Sequence, residues 1–149
     1  MEKGINSYIK DVMQLPEVDV VTYSPLALAY IGDGVYDLVI RSIVVGRGNT
    51  KASRLHQATS RLVKAHAQSE MMHVLQPLLT QEELDVYRRG RNAKSPTMAK
   101  NATMSDYRRA TGFEALMGYL YLTDRFERLM ELVRAALKEY SGSLPQDNE

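Results

Sequence analysis

Two carboxylates occupy stretches of sequence that are otherwise apolar. Asp33 lies between two glycines in the run Leu26–Tyr36, and Glu114 is the only charged residue from 110 to 122. An ionised carboxylate on an apolar surface requires a partner, a metal ion or a raised pKa. If the two side chains converge, they form a pair of hard oxygen ligands of the kind that Mg²⁺ prefers. The alternative for each is an ordinary acidic residue exposed on a partly buried helix.

The residues around these carboxylates favour close packing of two helices. Gly32 and Gly34 flank Asp33, and a glycine inside a helix costs up to about 1 kcal/mol relative to alanine. That cost is explained if another backbone or a ligand comes close beside Asp33. On a helix, the neighbours of Glu114 at three and four residues are mostly small: Ala110, Thr111, Met117 and Gly118.

The basic residues are clustered although the net charge is only +1. The segment 38–69 contains no acidic residue and six bases, namely Arg41, Arg47, Lys51, Arg54, Arg61 and Lys64. The segment 88–109 has one acid, Asp106, against seven bases, namely Arg88, Arg89, Arg91, Lys94, Lys100, Arg108 and Arg109. Such clusters favour a polyanion-binding face. With a phosphate completing the shell of the metal, the expected chemistry is metal-assisted phosphodiester hydrolysis. Alternatively, the runs are solvated helix faces.

Other classes of site are not supported. The chain has no cysteine, which excludes disulfides, zinc thiolates and thiol nucleophiles. Its three histidines fit no zinc-binding spacing, and we interpret them as surface or capping residues. The sequence shows neither an apolar secretory leader nor a membrane span, so we expect a cytoplasmic protein with no membrane partner.

The elements that must position these residues are helices throughout, so the predicted fold class is all-α. Ser24 followed by Pro25 predicts a helix start, and that helix should end near Gly46. A capping box, Thr80 to Glu83, starts a later short helix. Residues 90–104 carry glycine, proline and small polar residues and predict a loop.

We expect a single catalytic domain over residues 1–149. Residues 1–23 form an N-terminal extension of it, and residues 143–149 are expected to form a flexible tail.

Several of these motifs resemble those of the ribonuclease III family. Leu28–Val35, LAYIGDGV, is similar to the signature helix whose usual form is LEFLGDAV. Phe113–Leu122, FEALMGYLYL, resembles the second acidic motif, usually DxxEALxGxxYL. Arg88–Ser95, and Leu55-His56 followed by Ser60–Val63, are similar to Mini-ribonuclease III, the short branch without a double-stranded-RNA-binding domain. The similarity spans roughly residues 24–140 in order.

The resemblance implies a ribonuclease III-like helical endonuclease domain that forms a homodimer and cleaves double-stranded RNA. Asp33 and Glu114 match the family's catalytic, metal-binding carboxylates. They would hold Mg²⁺, with Mn²⁺ a possible substitute. The implied substrate is the precursor of large-subunit ribosomal RNA, cut by a metal-activated water to leave 5′-phosphate and 3′-hydroxyl ends. A ribosomal protein is a possible partner.

The resemblance also indicates residues for RNA binding and dimerisation. Tyr30 falls where the family carries an aromatic residue that docks into the partner subunit. The candidates for phosphate contacts are Arg88, Arg89, Arg91, Asn92 and Lys94, because A-form RNA is recognised mainly through shape, phosphates and 2′-hydroxyls.

The chain departs from the family pattern at acidic positions. Ala29 replaces the usual glutamate four residues before Asp33, Thr111 replaces the usual aspartate before Glu114, and another acidic position falls at Ala65. More ligands would then be water or RNA phosphate. Asp37, one turn after Asp33, either supplements the shell or is solvated or salt-bridged.

Two further hypotheses are kept. The first is a non-catalytic dimer that binds double-stranded RNA after losing part of the metal shell. The second is a helical protein–protein adaptor, which would need neither the isolated acids nor the basic loop.

Overall fold

The computed structural model describes residues 4–94 and 103–140, and every regular element in these two ranges is helical. The α-helices are α1 (Ile5–Met13), α2 (Pro25–Gly46), α3 (Ala52–Val63), α4 (Ala65–Leu75), α5 (Gln81–Asn92), α6 (Met104–Leu122) and α7 (Phe126–Glu139). Short 3-10 turns span Val20–Thr22 and Gln76–Leu78. The all-α prediction is confirmed. The tail expected at 143–149 lies outside the described residues.

The helix starts that the sequence predicted are present. The Ser24 hydroxyl accepts a hydrogen bond from the Ala27 amide at 3.1 Å, with Pro25 at the first helical position of α2. At α5 both bonds of the capping box form between Thr80 and Glu83. Glu83 is also buried and accepts a bond from Arg128 of α7 at 2.9 Å, so the cap ties α5 to α7.

The boundaries of the predicted loop at 90–104 are wrong. Helix α5 continues to Asn92, and α6 starts at Met104 with Thr103 as its cap, accepting from the Asp106 amide at 3.0 Å. Residues 95–102 of that segment, Lys100 among them, lie outside the described residues. Helix α1 lies within the stretch that the sequence indicated only as an N-terminal extension.

Helices α2 and α6 form the centre of the fold and touch through their backbones. A methyl group placed on Gly32 of α2 would lie 1.7 Å from the Glu114 carbonyl oxygen of α6. A methyl on Gly118 of α6 would lie 2.0 Å from the Leu28 carbonyl oxygen of α2. The close approach predicted from the small residues is therefore confirmed for this pair of glycines. Gly34 differs, because nothing lies within 4 Å of a methyl at that position.

A second glycine contact brings α5 onto the same central helix. A methyl on Gly90 would lie 2.8 Å from Ala115 Cβ and 2.9 Å from Gly112 Cα. The end of α5 is thus pressed against the turn of α6 that carries Glu114. Helices α4 and α7 pack on the remaining sides, around a core that includes Tyr36, Met71, Phe113 and Leu116.

Candidate active site

The α2–α6 crossing places Asp33 and Glu114 side by side. Gly32, the residue before Asp33, sits against the backbone of Glu114 itself. The two carboxyl groups form a hydrogen bond with each other. Asp33 is exposed and Glu114 is partly buried, so the pair opens to solvent on the Asp33 side. The two acids that were isolated in the sequence therefore converge in space.

The surroundings of Glu114 disfavour its ionised form. Burial, the hydrogen bond with Asp33 and the negative charge of Asp33 together raise the pKa of Glu114 to about 9. A hydrogen bond from Gln68 acts in the opposite direction. Two carboxylates this close cannot both ionise easily without a cation between them. Their arrangement therefore suits a divalent metal ion, which would replace the proton of Glu114.

The other two candidate ligands, Asp37 and Thr111, form contacts with residues outside the carboxylate pair. Asp37 forms an ion pair with Arg41 one turn along α2, with Nε to Oδ2 at 2.7 Å. Thr111 is buried, and its hydroxyl donates to the Tyr107 carbonyl at 2.9 Å. In residues 4–94 and 103–140, no cluster of three or more His, Asp or Glu side chains could hold a metal. Among the described side chains, the candidate ligands are therefore Asp33 and Glu114.

The sequence analysis missed Gln68, which contacts the site from α4. Its side chain is 1% exposed, forms a hydrogen bond with Glu114 and donates from Nε2 to the Val63 carbonyl at 3.1 Å. The sequence did contain a signal for it. Gln68 precedes Met71 and Met72 by three and four residues, which places a polar amide on the apolar face of its helix.

The candidate phosphate-binding residues lie on and just after α5. Arg88, Arg89 and Asn92 are exposed on the last two turns of the helix, and Lys94 is exposed two residues beyond its end. Arg91 is partly buried, with its guanidinium 5.7 Å from the centre of the Tyr87 ring. Because Gly90 contacts Gly112 and Ala115 of α6, these bases project from a helix packed on the turn of α6 that carries Glu114.

Those bases are not committed to internal ion pairs. In the described ranges, Arg88, Arg89 and Lys94 form no salt bridge with a carboxylate. Asp85, which lines a shallow hollow together with Arg88 and Arg89, accepts instead from Gln81 at 2.8 Å. The positive charge of this surface is therefore available to an anionic ligand.

Tyr30 and His66 are exposed on the surface. Tyr30 is 83% exposed on α2, one turn before Gly34. His66 bridges Glu70 and Asp106, with nitrogen to oxygen distances of 3.1 and 3.0 Å, and so links α4 to the start of α6. The hydrogen bond with Asp106 is the largest contribution that raises the pKa of His66. This histidine has a structural contact at the surface, in line with its sequence interpretation.

Comparisons with known proteins define the class. The family described as "Ribonuclease III domain" matches residues 26–125, a range that contains both carboxylates and α5. A crystal structure of a protein from Fusobacterium nucleatum superposes with a TM-score of 0.75 at 26% identity. It covers 82% of this chain and 94% of that one.

The curated relatives define the branch. Mini-ribonuclease 3 of Clostridium tetani is 45% identical over 88% of this chain and 87% of its own length. Mini-ribonuclease 3 of a Thermoanaerobacter species is 44% identical, covering 93% of this chain and 97% of its own length. Mini-ribonuclease 3 of Enterococcus faecalis is 50% identical, covering 76% of this chain and 88% of its own length. The chain belongs to the ribonuclease III family, in its Mini-ribonuclease III branch. It is an endoribonuclease.

Proposed function

We propose that this endoribonuclease is a single catalytic domain that cleaves double-stranded RNA with Mg²⁺ held by Asp33 and Glu114. The observation that carries the proposal is the direct hydrogen bond between these two carboxyl groups at the α2–α6 crossing. With no cation between them, the negative charge of Asp33 disfavours the ionised form of Glu114. A divalent ion between the two groups would let Glu114 ionise, and Mn²⁺ could substitute for Mg²⁺.

Asp33 and Glu114 are proposed to hold the metal at different distances from the solvent. A bound Mg²⁺ supplies a more acidic water and neutralises charge on the phosphate and the leaving oxygen. Asp33, on the exposed side of the pair, faces the solvent from which water and RNA arrive. Glu114 is partly buried and fixed by the glycine contact of its backbone. Water and RNA phosphate would complete the shell of a bound metal, and cleavage would leave 5′-phosphate and 3′-hydroxyl ends.

The RNA backbone is proposed to lie along the C-terminal part of α5. Arg88, Arg89, Asn92 and Lys94 are exposed there, and Arg91 reaches the surface beside Tyr87. Their phosphate contacts would position the duplex without reading its sequence. Because α5 is pressed onto α6 at Gly90, a duplex docked on these bases is held close to Glu114.

The active form is proposed to be a homodimer that uses the face of α2 around Tyr30. Gly34 and Leu38 follow Tyr30 on one side of that helix and line an apolar groove of about 780 Å³, with Ile5 and Ile9 of α1 also in its wall. Tyr30 and Leu38 are large side chains left exposed. A two-fold axis would bury such a patch against its own copy.

By resemblance to its family, the substrate is the precursor of large-subunit ribosomal RNA, and a ribosomal protein is a candidate partner. This assigns the protein to the cytoplasm. None of the helices in the described parts of the chain is long and apolar enough to cross a membrane.

The decisive experiment compares two aspartates on the same helix. Wild-type protein, Asp33→Asn and Asp37→Asn are incubated with duplex RNA in Mg²⁺ and in chelator. Asp33→Asn should bind the duplex and lose cleavage, because the substitution keeps volume and removes an anionic ligand. Asp37→Asn is the matched control and should cleave, since Asp37 is paired with Arg41.

The same assay separates the rival functions. The two-carboxylate shell favours, as the second candidate, a dimer that binds double-stranded RNA without cutting it. Binding without cleavage by the wild-type chain in either Mg²⁺ or Mn²⁺ would establish that rival. Absence of both binding and cleavage would point to the protein–protein adaptor.

A further inference from the structure

Gln68 places a polar amide in the apolar interior of the fold. It lies on α4 with the buried residues Ala67, Met71 and Met72 around it, and its side chain is 1% exposed. Burying an amide without hydrogen bonds costs roughly 1–3 kcal/mol in proteins, so its partners define what it does.

Both partners of the amide nitrogen are informative. A glutamine NH₂ group has two N–H donors. One donates to the Val63 carbonyl at 3.1 Å, at the C-terminal end of α3, where carbonyls lack partners within the helix. The Glu114 carboxyl group also receives a hydrogen bond from Gln68. Val63 thus fixes the orientation of the amide and leaves its second N–H for the Glu114 carboxyl group.

The arrangement resembles the outer shell of a metal site. Glu114 is contacted by Asp33 on its solvent side and by Gln68 from the interior. A donor on the inner side favours the ionised carboxylate and restricts its rotation, leaving the other lone pairs to face Asp33. Carboxylates that ligate metals are themselves commonly held by such hydrogen bonds.

We infer that Gln68 is a positioning residue for metal binding: its amide, anchored on Val63, holds the Glu114 carboxylate oriented toward Asp33. The inference rests on the proposed function, because it requires a metal at the carboxylate pair. It adds a third residue, from α4, to a site that the motifs assign to α2 and α6 alone.

The test compares Gln68→Met with Gln57→Met. Methionine keeps the unbranched shape and removes the donor, while Gln57 is exposed on α3 and serves as the matched control. Mn²⁺ affinity is measured by calorimetry on the protein without RNA, together with RNA affinity in chelator and the Mg²⁺ dependence of cleavage. Gln68→Met should bind Mn²⁺ about 10-fold to 100-fold more weakly, as for other outer-shell partners. Its RNA affinity in chelator should stay within about twofold of that of the wild-type protein, a change of less than about 0.5 kcal/mol.

A purely structural glutamine gives a different pattern. In that case Gln68→Met would melt at a lower temperature yet bind Mn²⁺ as tightly as Gln57→Met, and the inference would be overturned.

A second measurement needs no variant and so is independent of whether Gln68→Met folds. In the NMR spectrum of the wild-type chain, the side-chain NH₂ signal of Gln68 should shift as Mg²⁺ is added, with the same midpoint as binding, while that of Gln57 stays still. A static Gln68 signal during an Asp33-dependent metal titration overturns the role of Gln68 only. Absence of any Asp33-dependent metal binding overturns the metal site, and this inference with it.

Discussion

Gly32→Ala is expected to disrupt both the fold and the catalytic pair, because the new methyl would meet backbone rather than a movable side chain. It would lie 1.7 Å from the Glu114 carbonyl oxygen, 2.7 Å from the Glu114 carbonyl carbon and 2.7 Å from the Gly118 nitrogen. Real Cβ atoms essentially never approach another atom within 3.0 Å, so the two helices must separate by about 1.3 Å or more.

The energetic consequence follows from two opposing effects. Alanine gains about 1 kcal/mol over glycine in a helix interior. Overpacking of a well-filled contact costs typically about 1–3 kcal/mol, and more where backbone must move. Because two backbones collide here, we expect a net loss of about 2–3 kcal/mol, or roughly 4–12 °C in melting temperature for a domain of this size. A misplacement of about 1 Å at Glu114 is expected to lower turnover about 100-fold.

The matched control is Gly34→Ala, on the other side of Asp33 in the same helix. Nothing lies within 4 Å of a methyl there, and the usual family motif carries alanine at this position. This variant should keep its cleavage rate and melt at the same or a slightly higher temperature. Melting is followed by circular dichroism at equal protein concentration in chelator, and turnover on duplex RNA in Mg²⁺. A Gly32→Ala protein that melts and cleaves like Gly34→Ala would refute the tight α2–α6 contact.

Three further substitutions test the carboxylate pair, the proposed dimer face and the proposed RNA-binding bases. Glu114→Gln should raise the melting temperature of the metal-free protein, more at pH 9 than at pH 6. The pKa of Glu114 is raised to about 9 in the folded protein, so the wild-type fold loses stability as pH rises from the pKa of Glu114 in the unfolded chain toward 9. An equal effect on the melting temperature at both pH values would contradict this. Tyr30→Arg should give monomers by analytical ultracentrifugation, because the two-fold axis doubles the inserted charge, and an intact dimer at micromolar concentration would place the interface elsewhere. Replacing Arg88, Arg91 and Lys94 by alanine should weaken RNA binding and flatten its log–log salt dependence by about 0.9 per lost phosphate contact, whereas an unchanged slope would mean that the RNA docks elsewhere.

The sequence by itself determined the helical class and the places where key helices begin. Those features depend on residues close together in the chain. Ser24 and Pro25 start α2, and Thr80 with Glu83 starts α5, through hydrogen bonds that span three residues. The sequence also showed that Asp33 and Glu114 are isolated among apolar residues and that they match family motifs.

The residue at which α5 ends could not be predicted from local sequence. Glycine and asparagine at 90 and 92 favour a loop, yet Gly90 is pressed onto Ala115 and Gly112 of α6, and α5 remains helical to Asn92. Packing of this kind outweighs local propensity because most of the stability of a helix in a protein comes from its tertiary contacts. The phosphate-binding candidates on α5 are therefore presented by a helix.

Only the tertiary structure decided which groups meet. Gly32 and Gly34 flank the same aspartate, but the rotation of α2 turns Gly32 into the α6 backbone and leaves Gly34 without a neighbour in the described chain. Gln68 lies 46 residues before Glu114 and reaches it only because α4 packs on α6. Which residues so distant in sequence come into contact depends on how the helices pack against one another. That packing depends on the whole core.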